Sequence, residues 1–586
     1  MLHFFQKISL VFASGKTLEI PVGKALEVSA GEYACRFSVR EVAPKVWEIG
    51  ATLSAEGEVR DPVSGITTVS MALPWQETDR VLTQGPDFAD GVQSVDQLPE
   101  SLEFRDFFAF FDGENPARGL TLLPKLPAKF RSVIQLDREG DVLKVRCCTE
   151  IPSSFRGEIC CQTWRLYLDR DPVEALEAAA LEFGTLKPME PSVGWSTWDY
   201  YFTSATEADV KENTDFIAAD PVLGEKVRYI ALDDGWQQRE GDWREGIRYP
   251  GGLKNLVSYI REKGFEAGIW IAPTRLHNLC GTVMRRHDFL VRDEYGDPVM
   301  DEDMFVLDPT HPDGEAFLRE TFSYLGSCGF TFYKLDFVSN LLSVRRFHDP
   351  KAGPFDALGR LFQIARETVP AGSHLMGCSL PYGVEPGVAD SRRTGWDIHN
   401  VWCHIEACLG KYLPQFAANG RLYRNDLDYL VVRGPDTSED PQTNVLNPKA
   451  GFNRANPGPF AWRAGEDFSY EEAKTWCTAL LMSGSDIFLG DALPKLNDRG
   501  LALVQKTLAA ADFLPAAPVL DGSRIPAVWR KKNKLYVFNF TMQERQFRLK
   551  ATGSWRDLLD DTLWEAENGE LVLTIPTHGA ACLEAI

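Results

Sequence analysis

The sequence predicts a multidomain fold: an N-terminal β-sandwich over residues 1–185, a central (β/α)8 TIM barrel over 190–512, and a small C-terminal antiparallel β-domain over 516–586. At 586 residues, the chain is much longer than a single barrel domain of about 250 residues. The spacing of apolar residues changes near residue 190 and again near residue 516. Between these points, short apolar segments alternate with amphipathic helical windows, which is typical of β-strand and α-helix units around a parallel sheet.

The first and last parts of the chain have strand-like alternation. Apolar and polar residues alternate over Val142–Arg146 and Thr163–Leu168, and Gly, Pro and Asp residues typical of turns separate such segments. A helical segment, Pro172–Phe183, precedes two prolines that mark the predicted boundary before the barrel. Alternation returns over Lys534–Phe540, which predicts the C-terminal β-domain.

Eight short segments are candidates for the barrel strands, and eight strands close such a barrel. They are Val193–Trp198, Val227–Leu232, Ala267–Ile271, Phe330–Leu335, His374–Cys378, Asp390–Thr394, a segment within 423–430, and Asp486–Leu489. The Gly- and Pro-rich stretch 434–465 has no periodicity and is predicted to be a long loop over one face of the barrel.

The charge balance and the cysteine pattern narrow the class of function. The formal net charge is −22 and no basic run occurs, which makes nucleic acid and anionic membrane surfaces poor partners. No stretch approaches the ~18 apolar residues of a membrane span, and the N-terminus lacks a signal-peptide pattern, so we expect a cytoplasmic protein. The 12 cysteines have no metal-ligand spacing, which favours free thiols in a reducing compartment and predicts no metal site.

Acidic and aromatic side chains follow several of the predicted barrel strands. Because the active site of such a barrel lies where strands end and loops begin, these residues are candidates for function. Carboxylates bind the paired hydroxyls of a sugar, and indole rings pack against its apolar face. An Asp at such a junction is also a good helix N-cap, but capping does not explain the tryptophans or Lys334. The pattern therefore predicts a carbohydrate site with the two carboxylates that glycoside cleavage needs.

Five motifs in the first half of the predicted barrel resemble, in the same order, those of glycoside hydrolase family 36. They are Gly194–Trp198, Tyr229–Trp236, Tyr249–Lys254, Gly268–Pro273 and Tyr333–Phe337. That family includes α-galactosidases, some α-N-acetylgalactosaminidases and raffinose-synthase-like proteins. The resemblance implies the same three-part architecture, a retaining mechanism, a small carbohydrate substrate and no cofactor.

The resemblance also implies roles for residues of these motifs. Asp336 would be the nucleophile that forms the glycosyl-enzyme intermediate. Lys334, on the same face of the strand, would bind the 3- and 4-hydroxyls of the sugar and help to keep Asp336 ionised. Asp233 and Asp234 would accept hydrogen bonds from the 6- and 4-hydroxyls. The apolar walls of the sugar site would be Trp195, Trp236 and Trp270.

A second resemblance implies the identity of the acid/base. The segment Arg392–Ile398 is similar to an element of the sister α-galactosidase family in the same clan. It implies that Asp397 is the general acid/base and that Arg393 reaches the 2-substituent of the sugar. Asp390, in the same junction, is the alternative acid/base. Three residues near the seventh strand resemble a family element for which a structural role and a substrate contact are both open: Asn425, Asp426 and Asp428.

The loop after the fifth predicted strand departs from the family pattern. Its sequence, Gly377–Gly383, replaces a glycine-rich, Cys-containing loop that faces the 2-position of the sugar in relatives. Cys378, Ser379 and Tyr382 are therefore candidate substrate contacts. The small Ser379 leaves room for an acetamido group, whereas Tyr382 can refill that space. The choice between galactose and N-acetylgalactosamine stays open.

The predicted reaction is exo-acting release of terminal α-linked galactose by double displacement with retention. Retention needs the two carboxyl groups about 5–5.5 Å apart. The alternatives are release of α-linked N-acetylgalactosamine, galactosyl transfer of the raffinose-synthase type, and an inactive carbohydrate-binding relative. The resemblance also allows assembly as a homo-oligomer.

Overall fold

The computed structural model describes residues 7–21, 27–30, 33–55, 61–84, 90–152, 158–184, 190–293, 295–439, 446–447, 452–453 and 465–586. The predicted loop over 434–465 therefore lies mostly outside the described residues. Among the described helices, none has both the length and the apolar character that a membrane crossing requires.

The N-terminal region is built from strands that are joined edge to edge. Their order is β2-β1-β6-β12-β11-β9-β10-β14-β5-β4-β3, with β7, β8 and β13 beside this path. The strands are β1 Lys7–Phe12, β2 Thr17–Pro21, β3 Glu27–Ala30, β4 Tyr33–Ala43, β5 Val46–Ala55, β6 Val63–Pro74, β7 Asp79–Gln84, β8 Gly91–Ser94, β9 Ser101–Asp112, β10 Asn115–Pro124, β11 Ser132–Glu139, β12 Val142–Glu150, β13 Ile159–Cys160 and β14 Trp164–Leu168.

Strand β9 changes partner along its length. Its first half pairs with β11 through Phe104, and its second half pairs with β10 through Phe108 and Phe110. Between these halves, Asp106 has a φ of 73°, in the left-handed region that non-glycine residues rarely adopt. The two halves of the sheet enclose an apolar core to which the alternating strands contribute their buried residues.

Eight parallel strands form the central barrel, and each one lies in or overlaps its predicted segment. They are β15 Val193–Ser196, β16 Tyr229–Leu232, β19 Glu266–Ile271, β23 Phe332–Leu335, β24 His374–Gly377, β25 Ser391–Arg393, β26 Arg424–Asp426 and β29 Ile487–Leu489. Strand β15 pairs with β29, and single bridges at Asp426–Asp486 and Leu430–Leu489 span the gap between β26 and β29. The barrel is therefore nearly closed.

Helices and short strand pairs connect the barrel strands. The helices are α1 Pro172–Phe183, which precedes the barrel, then α2 Trp198–Tyr201, α3 Glu207–Ala219, α4 Pro221–Lys226, α5 Leu253–Glu262, α6 Gly281–Arg285, α7 Pro312–Cys328, α8 Pro354–Thr368, α9 Trp402–Tyr412, α10 Tyr470–Ser483 and α11 Asp498–Ala510. The connecting strands are β17 Gln237–Arg239, β18 Asp242–Glu245, β20 Arg275–His277, β21 Met300–Asp301, β22 Met304–Val306, β27 Leu446–Asn447 and β28 Phe452–Asn453.

Local sequence signals define the ends of several of these helices. Helix α10 begins after a capping box formed by Ser469 and Glu472, and it ends at Gly484 in the left-handed conformation. Helix α7 has a proline in its first turn and ends at the left-handed Gly329. These signals stop each helix where the chain must enter the next strand.

The C-terminal region consists of antiparallel strands. One sheet has the order β30-β31-β32-β37-β34-β35, and β33 pairs with β36. The strands are β30 Ala517–Val519, β31 Val528–Lys531, β32 Lys534–Phe538, β33 Arg545–Lys550, β34 Ser554–Asp557, β35 Leu563–Glu565, β36 Glu570–Ile575 and β37 Ala580–Ala585. The largest apolar core joins barrel residues to Leu82 and Val92 of the N-terminal region and to Trp529 of the C-terminal region. The protein thus has several regions, whereas the exact domain limits stay a prediction.

Candidate active site

Several predicted site residues lie at the carboxyl ends of neighbouring barrel strands. Asp233 directly follows β16, Asp336 follows β23, and Cys378 follows β24. Arg393 is the last residue of β25, and Lys334 lies within β23. Because the strands are parallel, their carboxyl ends face the same side of the barrel, and this side is where such barrels hold their active sites.

The Asp336 carboxylate is oriented by two N–H groups. The Trp270 indole Nε1 donates to Oδ2 at 3.1 Å, and the backbone N–H of Phe337 donates to Oδ1 at 2.6 Å. The backbone N–H of Asp336 donates to the carbonyl of Ile271 on β19 at 2.8 Å. Phe337 has a φ of 54°, so the chain turns sharply and leaves the half-buried carboxylate at the rim.

Lys334 is part of a buried hydrogen-bonded triangle with Asp233 and Tyr429. Its Nζ donates to Asp233 Oδ2 and to the Tyr429 hydroxyl, both at 2.8 Å. The Tyr429 hydroxyl in turn donates to Asp233 Oδ2 at 2.8 Å. Burial lowers the pKa of Lys334, but Asp233, Tyr429 and Cys378 together outweigh burial and raise that pKa above its ordinary value. Lys334 is therefore a fixed ammonium group beneath the rim.

Asp234 lies beside this triangle and is only half-buried. Gln237 Nε2 donates to its Oδ1 at 2.6 Å. Burial raises the pKa of the Asp234 carboxyl to about 7; the Gln237 hydrogen bond opposes this shift, and the charges of Glu240 and Asp233 add to it. Asp234 can therefore exchange a proton near neutral pH.

Arg393 lies among three carboxylates. Its Nε is 2.6 Å from Asp426 Oδ2, its Nη1 is 2.9 Å from Asp397 Oδ1, and its Nη2 is 2.5 Å from Asp428 Oδ1. Burial raises the pKa of Asp428, and the charges of Asp397 and Asp426 raise it further, whereas Arg393 lowers it. Asp426 and Asp428 thus anchor Arg393, while Asn425 donates to the backbone carbonyl of Gln415 at 3.1 Å.

Asp397 and its alternative Asp390 lie at opposite ends of the barrel. The Trp198 indole Nε1 donates to Asp397 Oδ2 at 3.2 Å, which holds this half-buried carboxylate at the same rim as Asp336. Asp390 precedes β25, and its Oδ2 accepts from Arg366 at 2.5 Å and from the backbone N–H of Leu375 at 2.8 Å. Asp390 therefore fixes the start of the strand and is far from the rim.

The three expected tryptophan walls occupy different places. Trp270 is next to Asp336, as described above, and Trp236 lies behind it, donating to the Trp270 carbonyl at 2.8 Å. Trp195 is fully buried and donates to the Asp491 carbonyl at 2.9 Å. Its neighbour Ser196 faces the barrel interior with Asp233, so strand alternation turns Trp195 outward. The structure therefore corrects the expectation that Trp195 lines the sugar site, and Trp236 supports Trp270 from behind.

The loop after β24 contributes Cys378 and Ser379 but not Tyr382. Burial raises the pKa of the Cys378 thiol, and the charges of Asp336 and Asp397 both raise it further, which places this thiol near both carboxylates. Ser379 has a φ of 30°, and its Oγ has no hydrogen-bond partner among the described residues. Tyr382 instead packs edge-on against Phe107, with ring centroids 6.4 Å apart. Tyr382 is thus directed into the interface with the N-terminal region and does not refill the space beside Ser379.

Two residues of the site had no role assigned from the sequence. Tyr429 links Lys334 to Asp233, and Trp198 holds Asp397. The signal for Tyr429 was its place directly after the candidate Asp428, although nothing in the sequence shows that its hydroxyl reaches β23. Trp198 is the last residue of the first predicted strand segment, so its position at the rim could be predicted but its partner could not.

Comparisons with known proteins give short sequence matches. No protein-family model matches the sequence. A segment of 87 residues, 14% of this chain and 23% of the relative, is 28% identical to an α-galactosidase of Coffea arabica. A segment of 130 residues, 21% of this chain and 17% of the relative, is 27% identical to α-galactosidase 1 of Pediococcus pentosaceus. These matches span less than a quarter of either curated relative.

Comparisons of structure cover nearly the whole chain. An α-galactosidase from Thermus thermophilus in complex with p-nitrophenyl α-D-galactopyranoside matches with a TM-score of 0.59 and 18% identity, over 87% of this chain and 98% of that one. A glycoside hydrolase family 36 α-galactosidase from Geobacillus stearothermophilus matches with a TM-score of 0.62 and 12% identity, over 99% of this chain and 89% of that one. At such identities, the similarity establishes a shared fold.

Proposed function

We propose that this chain, which has the fold of glycoside hydrolase family 36 and is similar to α-galactosidases, is a retaining exo-acting glycosidase that releases terminal α-linked galactose. The observation that carries the proposal is the pair Asp336 and Asp397, both half-buried at one rim and each held by an indole N–H. The charges of both carboxylates raise the pKa of the Cys378 thiol, which supports the proximity of Asp336 and Asp397. Two carboxyl groups on either side of a glycosidic bond are what retaining cleavage requires.

In the proposed mechanism, Asp336 attacks the anomeric carbon while Asp397 protonates the departing oxygen. Asp397 then removes a proton from the water that releases the sugar from Asp336, which regenerates both groups. Asp397 must carry a proton in the first step. One guanidinium, Arg393, is shared by Asp397, Asp426 and Asp428, so negative charge is in excess around Asp397.

The buried triangle would bind the sugar hydroxyls. Two of the three ammonium hydrogens of Lys334 are used by Asp233 and Tyr429, which leaves one for a hydroxyl of the substrate. Asp234 is more accessible and would accept from a second hydroxyl. Trp270, beside Asp336, would pack against the apolar face of the ring.

Replacement of the nucleophile tests the retaining mechanism. We expect Asp336→Gly to abolish cleavage of p-nitrophenyl α-galactoside, and added azide to react in the vacated space and give β-galactosyl azide. The anomeric configuration of the product is read by NMR. An α-configured azide would contradict the assignment of Asp336, because it would require attack from the opposite face.

The acid/base assignment is tested by a pair of variants. Asp397→Asn should lower kcat/KM by roughly 10²–10⁴-fold for substrates with a poor leaving group, and much less for p-nitrophenyl α-galactoside, whose leaving group needs little protonation. Asp390→Asn is the matched control, since Asp390 lies at the other end of β25. A larger selective loss in Asp390→Asn would overturn the assignment.

One observation favours a second candidate function, release of α-linked N-acetylgalactosamine. Ser379 Oγ has no hydrogen-bond partner in the described part of the chain, Tyr382 is directed away from it, and a cavity begins beside Ser379. An acetamido group on the 2-position would fit this space. The ratio of kcat/KM values for the p-nitrophenyl α-glycosides of the two sugars decides between the candidates.

A further inference from the structure

A cavity of about 610 Å³ lies between the N-terminal β-region and the rim of the barrel. Its volume is within the range of about 300–1,000 Å³ that is typical of small-molecule sites. The barrel contributes Ser379, Arg393 and Trp396 to its wall, and the N-terminal region contributes Arg105 and Asp106. Because Arg393 also binds Asp397, the cavity begins at the proposed acid/base.

The N-terminal wall includes the strained residue of strand β9. Asp106, with its left-handed φ of 73°, lies where β9 changes partner, and its half-buried carboxylate makes no hydrogen bond to the described residues. A non-glycine residue in this conformation is strained and persists where surrounding structure imposes it, often at binding sites. The strain has a clear geometric result, since it brings Arg105 and Asp106 to the cavity wall.

Other polar atoms around the cavity also lack partners within the described part of the chain. They are Gln84 Oε1, Arg131 Nε, Trp164 Nε1 and Ser379 Oγ. The Trp164 side chain is almost fully buried. Buried polar groups are normally hydrogen-bonded, so this set of donors and acceptors suits a ligand that carries hydroxyl groups.

An exposed aromatic ring stands at the junction of the cavity with the proposed active site. Trp396 directly precedes Asp397 and is 48% exposed, which is unusual for a large aromatic residue. The ammonium group of Lys411 lies 5.6 Å from the centre of its ring. One face of the indole is thus covered by a cation, and the exposed remainder offers a surface on which a sugar ring can stack.

The cations around the cavity are already balanced by acids. Lys411 lies 3.0 Å from Asp90, and Arg131 lies 3.4 Å from Glu150. Arg105 and Arg392 lie close enough to Asp106 to act on its charge. The cavity therefore favours a neutral hydroxylated ligand over an anion.

We infer that this cavity binds the leaving-group side of the substrate, a neutral oligosaccharide that contacts Asp106 of the N-terminal region and stacks on Trp396. The inference rests on the proposed function, since it takes Asp397 as the group that protonates the departing oxygen. In an α-galactoside the substituents on the first and second ring carbons are gauche. A cavity beside Ser379, which faces the 2-position, therefore also receives the α-linked leaving group.

The inference is tested by comparing substrates that share galactose and differ in the leaving group. The probes are p-nitrophenyl α-galactoside, raffinose, which releases a disaccharide, and stachyose, which releases a trisaccharide. For Asp106→Asn, we expect the ratio of kcat/KM for stachyose to kcat/KM for p-nitrophenyl α-galactoside to fall on the order of 10-fold, because a hydrogen bond to a charged group is lost. Trp396→Ala should change the ratio in the same direction.

A matched control is available in the same region. Asp169 also has a positive φ, 49°, and its exposed carboxylate pairs with Lys45 at 3.0 Å, outside the cavity. Asp169→Asn should leave the substrate ratio unchanged. Melting temperatures of both variants show whether either one is misfolded, and calorimetric binding of stachyose in an Asp336→Asn background gives a readout independent of turnover.

The kinetic and calorimetric results together distinguish failure of the proposed function from failure of the cavity to bind the oligosaccharide. If the wild-type chain cleaves no α-galactoside, the proposed function fails, and the calorimetric comparison of the Asp106 and Asp169 variants still decides whether the cavity binds the oligosaccharide. Equal substrate ratios and equal stachyose affinities in wild type and Asp106→Asn would overturn the inference. A change confined to the ratio of N-acetylgalactosamine to galactose substrates would also overturn it, because the cavity would then serve the 2-substituent alone.

Discussion

Tyr429 connects two residues that would hold the sugar, although it is itself buried. Its hydroxyl bonds both Lys334 Nζ and Asp233 Oδ2. Tyr429→Phe should lower kcat/KM for p-nitrophenyl α-galactoside roughly 10- to 100-fold, since hydrogen bonds to charged groups contribute about 1.5–3 kcal/mol. We expect most of the loss in KM, because in the proposed mechanism the triangle would bind the sugar without reacting with it.

The control for this substitution is another buried tyrosine. Tyr412 donates to the carbonyl of Ser483 at 2.9 Å, outside the site. Tyr412→Phe should lower the melting temperature and leave KM unchanged. A kcat/KM for Tyr429→Phe within a factor of two of wild type would mean that Lys334 holds its position without this hydroxyl.

Asp234 should make the fold less stable as the pH rises toward neutral. Its pKa is about 7 in the folded chain, against about 3.9 for an unperturbed Asp. The folded chain therefore binds this proton more tightly than the unfolded chain, and the resulting stability is present below about pH 4 and is lost as the pH rises to about 7. Asp234→Asn should thus gain stability relative to wild type over this window, as measured by urea unfolding. A difference between the two proteins that does not vary with pH would contradict this.

The place of a side chain in the candidate site was predictable where a strand fixes the direction of that side chain. Asp336 and Lys334 could be placed from the motif on β23, because its strand end is unambiguous. Trp195 shows the limit, since a shift of one residue in strand parity turns a side chain from the interior to the outer face. Tyr429 shows another limit, since its partners come from two other strands.

At the level of elements, the short strand β25 separates the two candidate acids. Both Asp390 and Asp397 lie within a few residues of the predicted segment, and sequence patterns locate strand ends only to within about 2–4 residues. The structure places Ser391–Arg393 in the strand, so Asp390 precedes it and Asp397 follows it. Most of the barrel strands were predictable as buried apolar runs between helical windows, whereas β25 and β26 consist of buried polar residues.

The junction of β25 and β26 also contains a buried cluster of charges. Arg393→Ala would leave Asp426 and Asp428 buried without their cation, and breaking a buried ion pair costs about 3–5 kcal/mol. We expect a loss of this size in the free energy of unfolding, measured by chemical denaturation. Arg40→Ala is the control, because Arg40 pairs with Glu48 at an exposed position and should cost less than about 1 kcal/mol. Similar losses in the two variants would argue against a structural role for the cluster.

At the scale of the whole molecule, a buried ion pair joins the barrel to the C-terminal region. Lys474 on α10 lies 3.0 Å from Asp557 Oδ2 and 2.5 Å from Asp560 Oδ2. Lys474→Met should destabilise the fold by about 3–5 kcal/mol, since the buried Asp557 carboxylate would lose its partner. The melting temperature measured by calorimetry checks this.

A second lysine provides the matched comparison. Lys506 on α11 also joins the barrel to the C-terminal region, through Asp561 at 2.7 Å, but this pair is exposed. Lys506→Met should change the free energy of unfolding by less than about 1 kcal/mol. If Lys506→Met were as damaging as Lys474→Met, burial would not be the cause.

The order of the three regions along the chain was predictable from changes in apolar periodicity. Their contacts were not, because residues far apart in sequence form them. The cavity between Asp106 and Trp396 is the clearest case, since its two walls come from a strained bend in β9 and from the loop after β25. Sequence alone gives no measure of which face of the N-terminal strands meets the barrel.

The contact between Trp270 and Asp336 has a spectroscopic consequence. The emission of an indole depends on the charges close to it, and here its N–H donates directly to the carboxylate that would become an ester during turnover. Formation of that ester removes the negative charge, so the fluorescence of Trp270 changes as the intermediate accumulates. Other tryptophans contribute a background, which Trp270→Phe identifies by difference. Under the proposed mechanism, Trp270 would be an intrinsic optical reporter of the covalent step, usable in stopped-flow measurements without a chromogenic substrate.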